Sequence, residues 1–196
     1  MATPDWPDIL RRALDWPGSP SSDFDLNRDV VLPEGRRLKE AAVLVALQQD
    51  QLILTKRSAR LKHHPGQIAF PGGRRDPQDS SLADCALREA WEEIGLPRGQ
   101  VDLIGTMPPH ETVTGFQVYP VLARVEGSFP DRPEAGEVSE VFRVPVAHVT
   151  RIANFRVEGR RWQGQRREYY SVPYGPYYIW GATARILRAL ADRIES

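Results

Sequence analysis

A chain of 196 residues with 41% hydrophobic and 27% charged side chains suits one sizeable domain with a full core, and it holds no apolar run of membrane-spanning length. Its 26 basic and 26 acidic residues cancel, leaving no global field to draw it to nucleic acid, and its single cysteine, Cys85, excludes an internal disulfide and a multi-cysteine metal site. The start, MATPDWPDILRRALDWPG, lacks a basic segment followed by a continuous apolar stretch, so the expected location is cytoplasmic.

In chain order, the spacing of Ile9, Leu10, Ala13 and Leu14 predicts a short helix over residues 6–14. The breaker-rich WPGSPSSDFD then wraps the surface, and residues 1–38 read as an N-terminal extension packed on a domain of residues 39–196. AAVLVAL at 41–47 and LILTKR at 52–57 read as a hairpin across a polar turn, followed by a loop and a short strand, IAF, closed by PGG. Ser81 and Asp84 fit a capping box that starts a helix, and Gly95 with Pro97 beyond it ends that helix. Cys85 falls inside it and reads as a small packed side chain. Strands are expected at 101–106, 116–125, 139–144, 155–158 and 169–172, then a closing helix at 182–194 that packs Ile186, Leu187, Leu190 and Ile194 on the sheet. Strands interspersed with a few helices predict an α/β or α+β layered domain with a mixed sheet.

The helix at 81–95 carries Glu89, Glu92 and Glu93 within five positions, a local repulsion of roughly 0.2–0.5 kcal/mol per neighbouring pair. With Leu82 at about 0°, Glu89, Glu93 and Glu92 fall near about 340°, 20° and 280°. Ala83, Leu87, Ala90, Trp91 and Ile94 fall between about 80° and 180°, an apolar stripe expected to dock on the sheet and turn the acids outward. Carboxylates one turn apart suit a hard divalent ion completed by substrate phosphate; the alternative is a solvated face with Arg88 pairing to Glu92.

The stretch Arg88 to Leu96, REAWEEIGL, resembles the final part of the Nudix box, R-E-U-x-E-E-x-G-U, at every specified position. Upstream, Gly73 and Arg88 enclose fourteen residues where the general pattern has thirteen, and Ser80 stands in place of its glutamate. A loop one residue longer, with Gly72, Gly73, Asp76 and Asp79, is similar to the coenzyme A pyrophosphatase branch. Residues 53–73, ILTKRSARLKHHPGQIAFPGG, resemble that branch's signature too, with Ile53 and Lys62 replacing its leucine and arginine.

The resemblance implies a Nudix-like α/β/α sandwich and hydrolysis of coenzyme A or its derivatives to 3′,5′-ADP and a phosphopantetheine product. Another nucleoside diphosphate derivative, or a binding module without catalysis, is the alternative. It implies Mg²⁺ or Mn²⁺ at Glu89 and Glu93, with Glu92 as a further ligand, and substrate contacts from Arg57, His64, Gln67, Gly72 and Gly73. For the general base, Glu89 is the candidate if another group completes the metal shell, with Glu111 in HETVTG the runner-up. Arg88 falls off the acid face and is expected to brace the glutamates. Six arginines between Arg151 and Arg167 either receive the 3′-phosphate of coenzyme A or form a solvated hairpin, and Trp162, Tyr169 and Tyr170 either stack on adenine or pack. The expected partner is a small molecule, with no nucleic acid and no membrane; the oligomeric state is open.

Overall fold

The computed structural model describes residues 4–16, 18–33, 35–162 and 164–195, without the side chains of Trp162 and Gln165. Along the chain run α1 (Trp6–Asp15), β1 (Ser21–Ser22), β2 (Lys39–Gln48), β3 (Gln51–Arg57), β4 (Ile68–Ala69), β5 (Gly72–Arg74) and α2 (Leu82–Ile94). Then come β6 (Val101–Thr106), β7 (His110–Glu111), β8 (Phe116–Val125), β9 (Val138–Pro145), α3 (Val146–Val149), β10 (Arg156–Trp162), β11 (Gln165–Ser171) and α4 (Gly181–Ile194).

The sheet follows from alternation. Along β2, Ala41, Val45 and Leu47 enter one apolar cluster and Ala42, Leu44 and Ala46 the other, so this strand is buried on both faces. β2 pairs in parallel with β8 over its whole length, from Lys39↔Phe116 to Gln48↔Val125. Strands β1 to β9 form one nine-stranded mixed sheet, and β10–β11 is a separate antiparallel hairpin. One face carries α2; the other carries α1 and α4. The result is the expected three-layer α/β/α arrangement. No helix among the described residues is long and apolar enough to cross a membrane.

The hairpin expected of β2 and β3 pairs only at its tip, Leu47↔Leu52 and Gln48↔Gln51, because β5 takes the edge of β2 from Ala41 to Val43. That insertion lays the glycines of β5 directly beneath α2.

The N-terminal segment is fastened to the rest of the fold at several places, among them two on the sheet side. His110 is fully buried, its Nδ1 2.9 Å from Ser21 Oγ and its Nε2 3.1 Å from Asp23 Oδ1. Further on, Asn27 brackets the backbone of Glu168 in β11, accepting from its N–H at 2.8 Å and donating to its carbonyl at 2.9 Å.

Candidate active site

Helix α2 begins where expected: Ser81 is extended, and its hydroxyl accepts from the Asp84 N–H at 3.0 Å. The capping box is modified, since the Asp84 carboxylate accepts from the Ser80 N–H instead of returning to Ser81. Gly95 ends the helix at φ 72°, the left-handed position that favours glycine.

Of the predicted docking stripe, Ala90 and Ile94 are buried and Ala83 and Leu87 pack partly against the core, but the buried arc is shifted towards the acids and leaves Trp91 out. Cys85, Ala86, Ala90, Glu93 and Ile94 are buried, whereas Trp91 is 51% exposed. Small side chains at 85, 86 and 90 let the backbone approach the sheet closely, and a tryptophan could not occupy that gap. The helix is therefore rotated so that Glu93, only 4% exposed, points inward over β5, with Glu89 half-buried beside it and Glu92 at the rim.

Two glycines make this possible. Gly72 has φ 154°, and a Cβ there would lie 2.4 Å from the Ala42 carbonyl oxygen; its N–H donates to Glu93 Oε2 at 3.1 Å. A Cβ on Gly73 would lie 2.5 Å from the Glu89 carboxylate. Burial pushes Glu93 up to about 7, opposed by the Gly72 hydrogen bond and reinforced by the charges of Glu89 and Glu137. Glu89 is raised as well, first by burial, against the pull of Arg88. Cys85, whose thiol burial pushes up to about 11, is a packed, unreactive side chain.

Arg88 is the brace. It makes a forked pair with Asp79, Nε–Oδ1 2.9 Å and Nη2–Oδ2 3.0 Å, while Nη1 reaches Glu89 at 3.0 Å and Glu92 at 2.9 Å. Asp79 also accepts from the Asp76 N–H at 2.8 Å, and the Arg88 hydrogen bond holds its carboxyl down at about 2. Asp79 thus ties the loop to the helix, a role its place in the motif did not reveal.

Arg57 stands at the end of β3, and its charge acts on both Glu93 and His64. Its Nε is buried without a hydrogen-bond partner among the described residues. His64 sits at φ 54° on the exposed loop, held below the usual histidine value by partial burial and then by the charges of Arg57 and His63, and hydrogen-bonded to Gln67. Thus Glu89, Glu93, Gly72, Gly73, Arg57, His64 and Gln67 come together, with Glu92 flanking.

Glu111 does not join them. Its carboxylate is paired with Arg36 on β7, which β8 and β2 separate from β5. Glu137 is nearer, its charge acting on both Glu89 and Glu93: the loop it stands on is pinned by the Glu134 N–H to the Glu93 carbonyl at 2.9 Å, and the Glu134 carboxylate accepts from the Glu137 N–H at 2.8 Å. That contact joins residues more than forty positions apart, and no local pattern announces it.

Two carboxylates that repel each other, Glu93 buried and Glu89 half-buried, with oxygen the only donor type, form a set that suits a hard divalent cation. Among the described residues no three acidic, histidine or cysteine groups yet surround one point, Arg88 holding Glu89 and Glu92. A wider concavity between the start of α1 and β8, lined by Asp5, Arg11, Arg124 and Glu126, lacks such a buried carboxylate pair.

A layered fold presenting an acidic helix over a glycine strand, with the Arg57 Nε unpartnered beside it, suits the hydrolysis of phosphoric anhydrides, and the comparisons with known proteins agree. The NUDIX domain profile matches residues 37–163. The chain is 40% identical over 176 residues to a protein described as an uncharacterized Nudix hydrolase NudL from Salmonella heidelberg, covering 88% of this chain and 92% of that one. A protein of the same description from Cronobacter sakazakii matches with the same identity and coverage. Among solved structures, the Nudix hydrolase RenU of M. smegmatis aligns at TM-score 0.46 and 25% identity, covering 58% of this chain and 73% of that one. This chain belongs to the Nudix family and is a pyrophosphatase of that family, acting on a nucleoside diphosphate derivative.

Proposed function

We propose that the chain hydrolyses coenzyme A, its thioesters or its oxidised form at the diphosphate, releasing 3′,5′-ADP and 4′-phosphopantetheine or the matching acyl or oxidised product. The observation that carries this reading is Arg57: its charge acts on both Glu93 and His64, and its buried Nε has no hydrogen-bond partner among the described residues, a need that a diphosphate oxygen would meet. The branch-like segment 53–73 supplies that arginine together with His64, Gln67 and both glycines.

In this reading Glu89 and Glu93, joined by Glu92, hold Mg²⁺ or Mn²⁺. The bound cation supplies positive charge to the phosphoryl oxygens and lowers the pKa of the attacking water. Arg57 clamps the diphosphate, and the Gly72 N–H fixes the Glu93 carboxylate. Arg88 is a positioning residue, held in turn by Asp79. Glu137, whose charge acts on both Glu89 and Glu93, orients the water with Glu89 and takes its proton. Residues 1–38 serve as an extension bracing the domain of residues 39–196, a reading supported by the Asn27 clamp on β11.

Incubation with Mg²⁺ or Mn²⁺ and a panel of coenzyme A, acyl-coenzyme A, ADP-ribose, dinucleotides and nucleoside triphosphates, followed by chromatography, tests it. Release of 3′,5′-ADP from the coenzyme A compounds is expected. Preferred turnover of ADP-ribose, a dinucleotide or a triphosphate would move the enzyme elsewhere in the family, and retention of ligand with no turnover would mark a binding module.

A further inference from the structure

Strands β10 and β11 place arginine opposite arginine twice, Arg160↔Arg167 and Arg161↔Arg166. Residues directly opposite in an antiparallel ladder share a face, so the two side chains of each pair leave the strands as neighbours, and like charges so placed repel unless an anion intervenes. The second pair has one: Arg166 lies 3.7 Å from the Glu168 carboxylate on its own face. For the first pair, the acid on the shared face is Glu158, and its carboxylate is already engaged, accepting from Ser171 Oγ at 2.6 Å and Tyr178 Oη at 2.8 Å. Arg160 and Arg167 make no ion pair among the described residues, and Arg167 Nε is buried with no hydrogen-bond partner.

Arg160 lines a cleft of about 500 Å³ that also touches Lys56, His64, Gln67, Tyr178 and Trp180. The cleft shares His64 and Gln67 with the site described above. Its aromatic side is built: Tyr178 Oη lies 3.2 Å from Tyr169 Oη, and the Trp180 ring stands 5.1 Å from that of Tyr169 and 6.3 Å from that of Tyr178. Lys56 and Arg160 lining one cleft with Tyr178 and Trp180, and Arg167 opposite Arg160 across the ladder, combine the chemistry that suits a nucleoside carrying a phosphate monoester apart from its diphosphate.

We infer that this cleft is the nucleoside subsite and that Arg160 and Arg167 are specificity-determining residues that receive a phosphate monoester on the substrate's ribose. The inference rests on the coenzyme A reading and narrows its arginine-rich segment to one cross-strand pair. Arg167 donates from a fixed, half-buried fork, Arg160 closes from the exposed strand, and the repulsion between them is relieved only when the ligand is present.

The test is calorimetric titration of the full-length protein in EDTA, so that no turnover occurs, with adenosine 3′,5′-bisphosphate, AMP and inorganic phosphate. The wild type is expected to bind the bisphosphate at least about tenfold more tightly than AMP or inorganic phosphate. Arg160→Gln with Arg167→Gln removes that preference and leaves AMP binding unchanged, whereas Arg161→Gln with Arg166→Gln, on the opposite face of the same hairpin, retains it. Arg167→Lys, which keeps the charge but not the fork, loses part of it. Equal binding of bisphosphate and AMP by the wild type, bisphosphate binding no tighter than inorganic phosphate, or loss of the preference in the opposite-face variant overturns the inference. A bisphosphate preference that persists in a protein unable to hydrolyse coenzyme A would leave the subsite standing and remove only the coenzyme A reading.

Discussion

Helices α2 and α4 are close in length, lie on opposite faces of one sheet, and each bury one acidic or basic side chain. In α4 that side chain is Arg193, whose Nη1 donates to the carbonyls of Ala13 at 3.3 Å and Trp16 at 2.7 Å, so the charge is consumed in holding the end of α1. In α2 it is Glu93, which accepts one hydrogen bond, from Gly72, and faces other carboxylates. A buried charge with local partners is a structural clasp; a buried charge left short of partners is a site waiting for a counterion. The surroundings differ in the same way. α4 packs on Ile186, Leu187 and Leu190, each worth about 1.5–3 kcal/mol when fully buried, whereas α2 docks through Cys85, Ala86 and Ala90 with Ile94 as its one large fully buried side chain, and gains close approach at the expense of area.

The sharpest separation of the two comes from neutralising Glu93. Glu93→Gln should lower kcat on the order of 10²–10³-fold while metal-free thermal stability rises, because an amide removes the buried repulsion without changing shape. Thermal melts in EDTA beside activity assays read both effects. A drop in stability together with activity would make Glu93 a second clasp and break the comparison. Conversely, Arg193→Met should cost about 2–3 kcal/mol in denaturant unfolding by stranding two carbonyls, with kcat unchanged.

Asp79 sharpens the comparison at its edge, being an acid with a full complement of partners. Its folded pKa, about 2, lies below the ordinary 3.8, so the folded state binds fewer protons than the unfolded state between these values. The stability it contributes is present above about pH 4 and is lost as pH falls through about 2. Asp79→Asn should flatten the acid limb of the stability curve by on the order of 1–2 kcal/mol after allowance for solvent screening. At the small end, Trp91→Ala should shift stability by less than about 0.5 kcal/mol, since the ring is 51% exposed.

Much of this was legible in the sequence because local chemistry specified it. Ser81 and Gly95 bound α2, and β6 and β8 occupy the expected residues 101–106 and 116–125. The wheel placed Ala83, Leu87, Ala90 and Ile94 correctly on the core side and missed at Trp91, counted inward by its apolarity, and at Glu93, counted outward by its charge. The strands of the arginine hairpin are also longer than the expected 155–158 and 169–172, reaching Trp162 and starting at Gln165, because arginine runs hide the alternation that marks a strand. Of the residues around the glutamates, Arg57, His64 and the two glycines stand in one quotable segment. Glu137 reaches the site only through a distant loop, and Glu111, in a loop of similar appearance, is taken by Arg36.

The central claim is that the inward carboxylates of α2 hold a divalent ion. Mn²⁺ titration of the metal-free protein, followed by water-proton relaxation, tests it without any substrate. The account predicts saturable Mn²⁺ binding weakened at least about tenfold by Glu93→Gln and left unchanged by Glu111→Gln. Mn²⁺ binding that is the same in wild type and Glu93→Gln would contradict it.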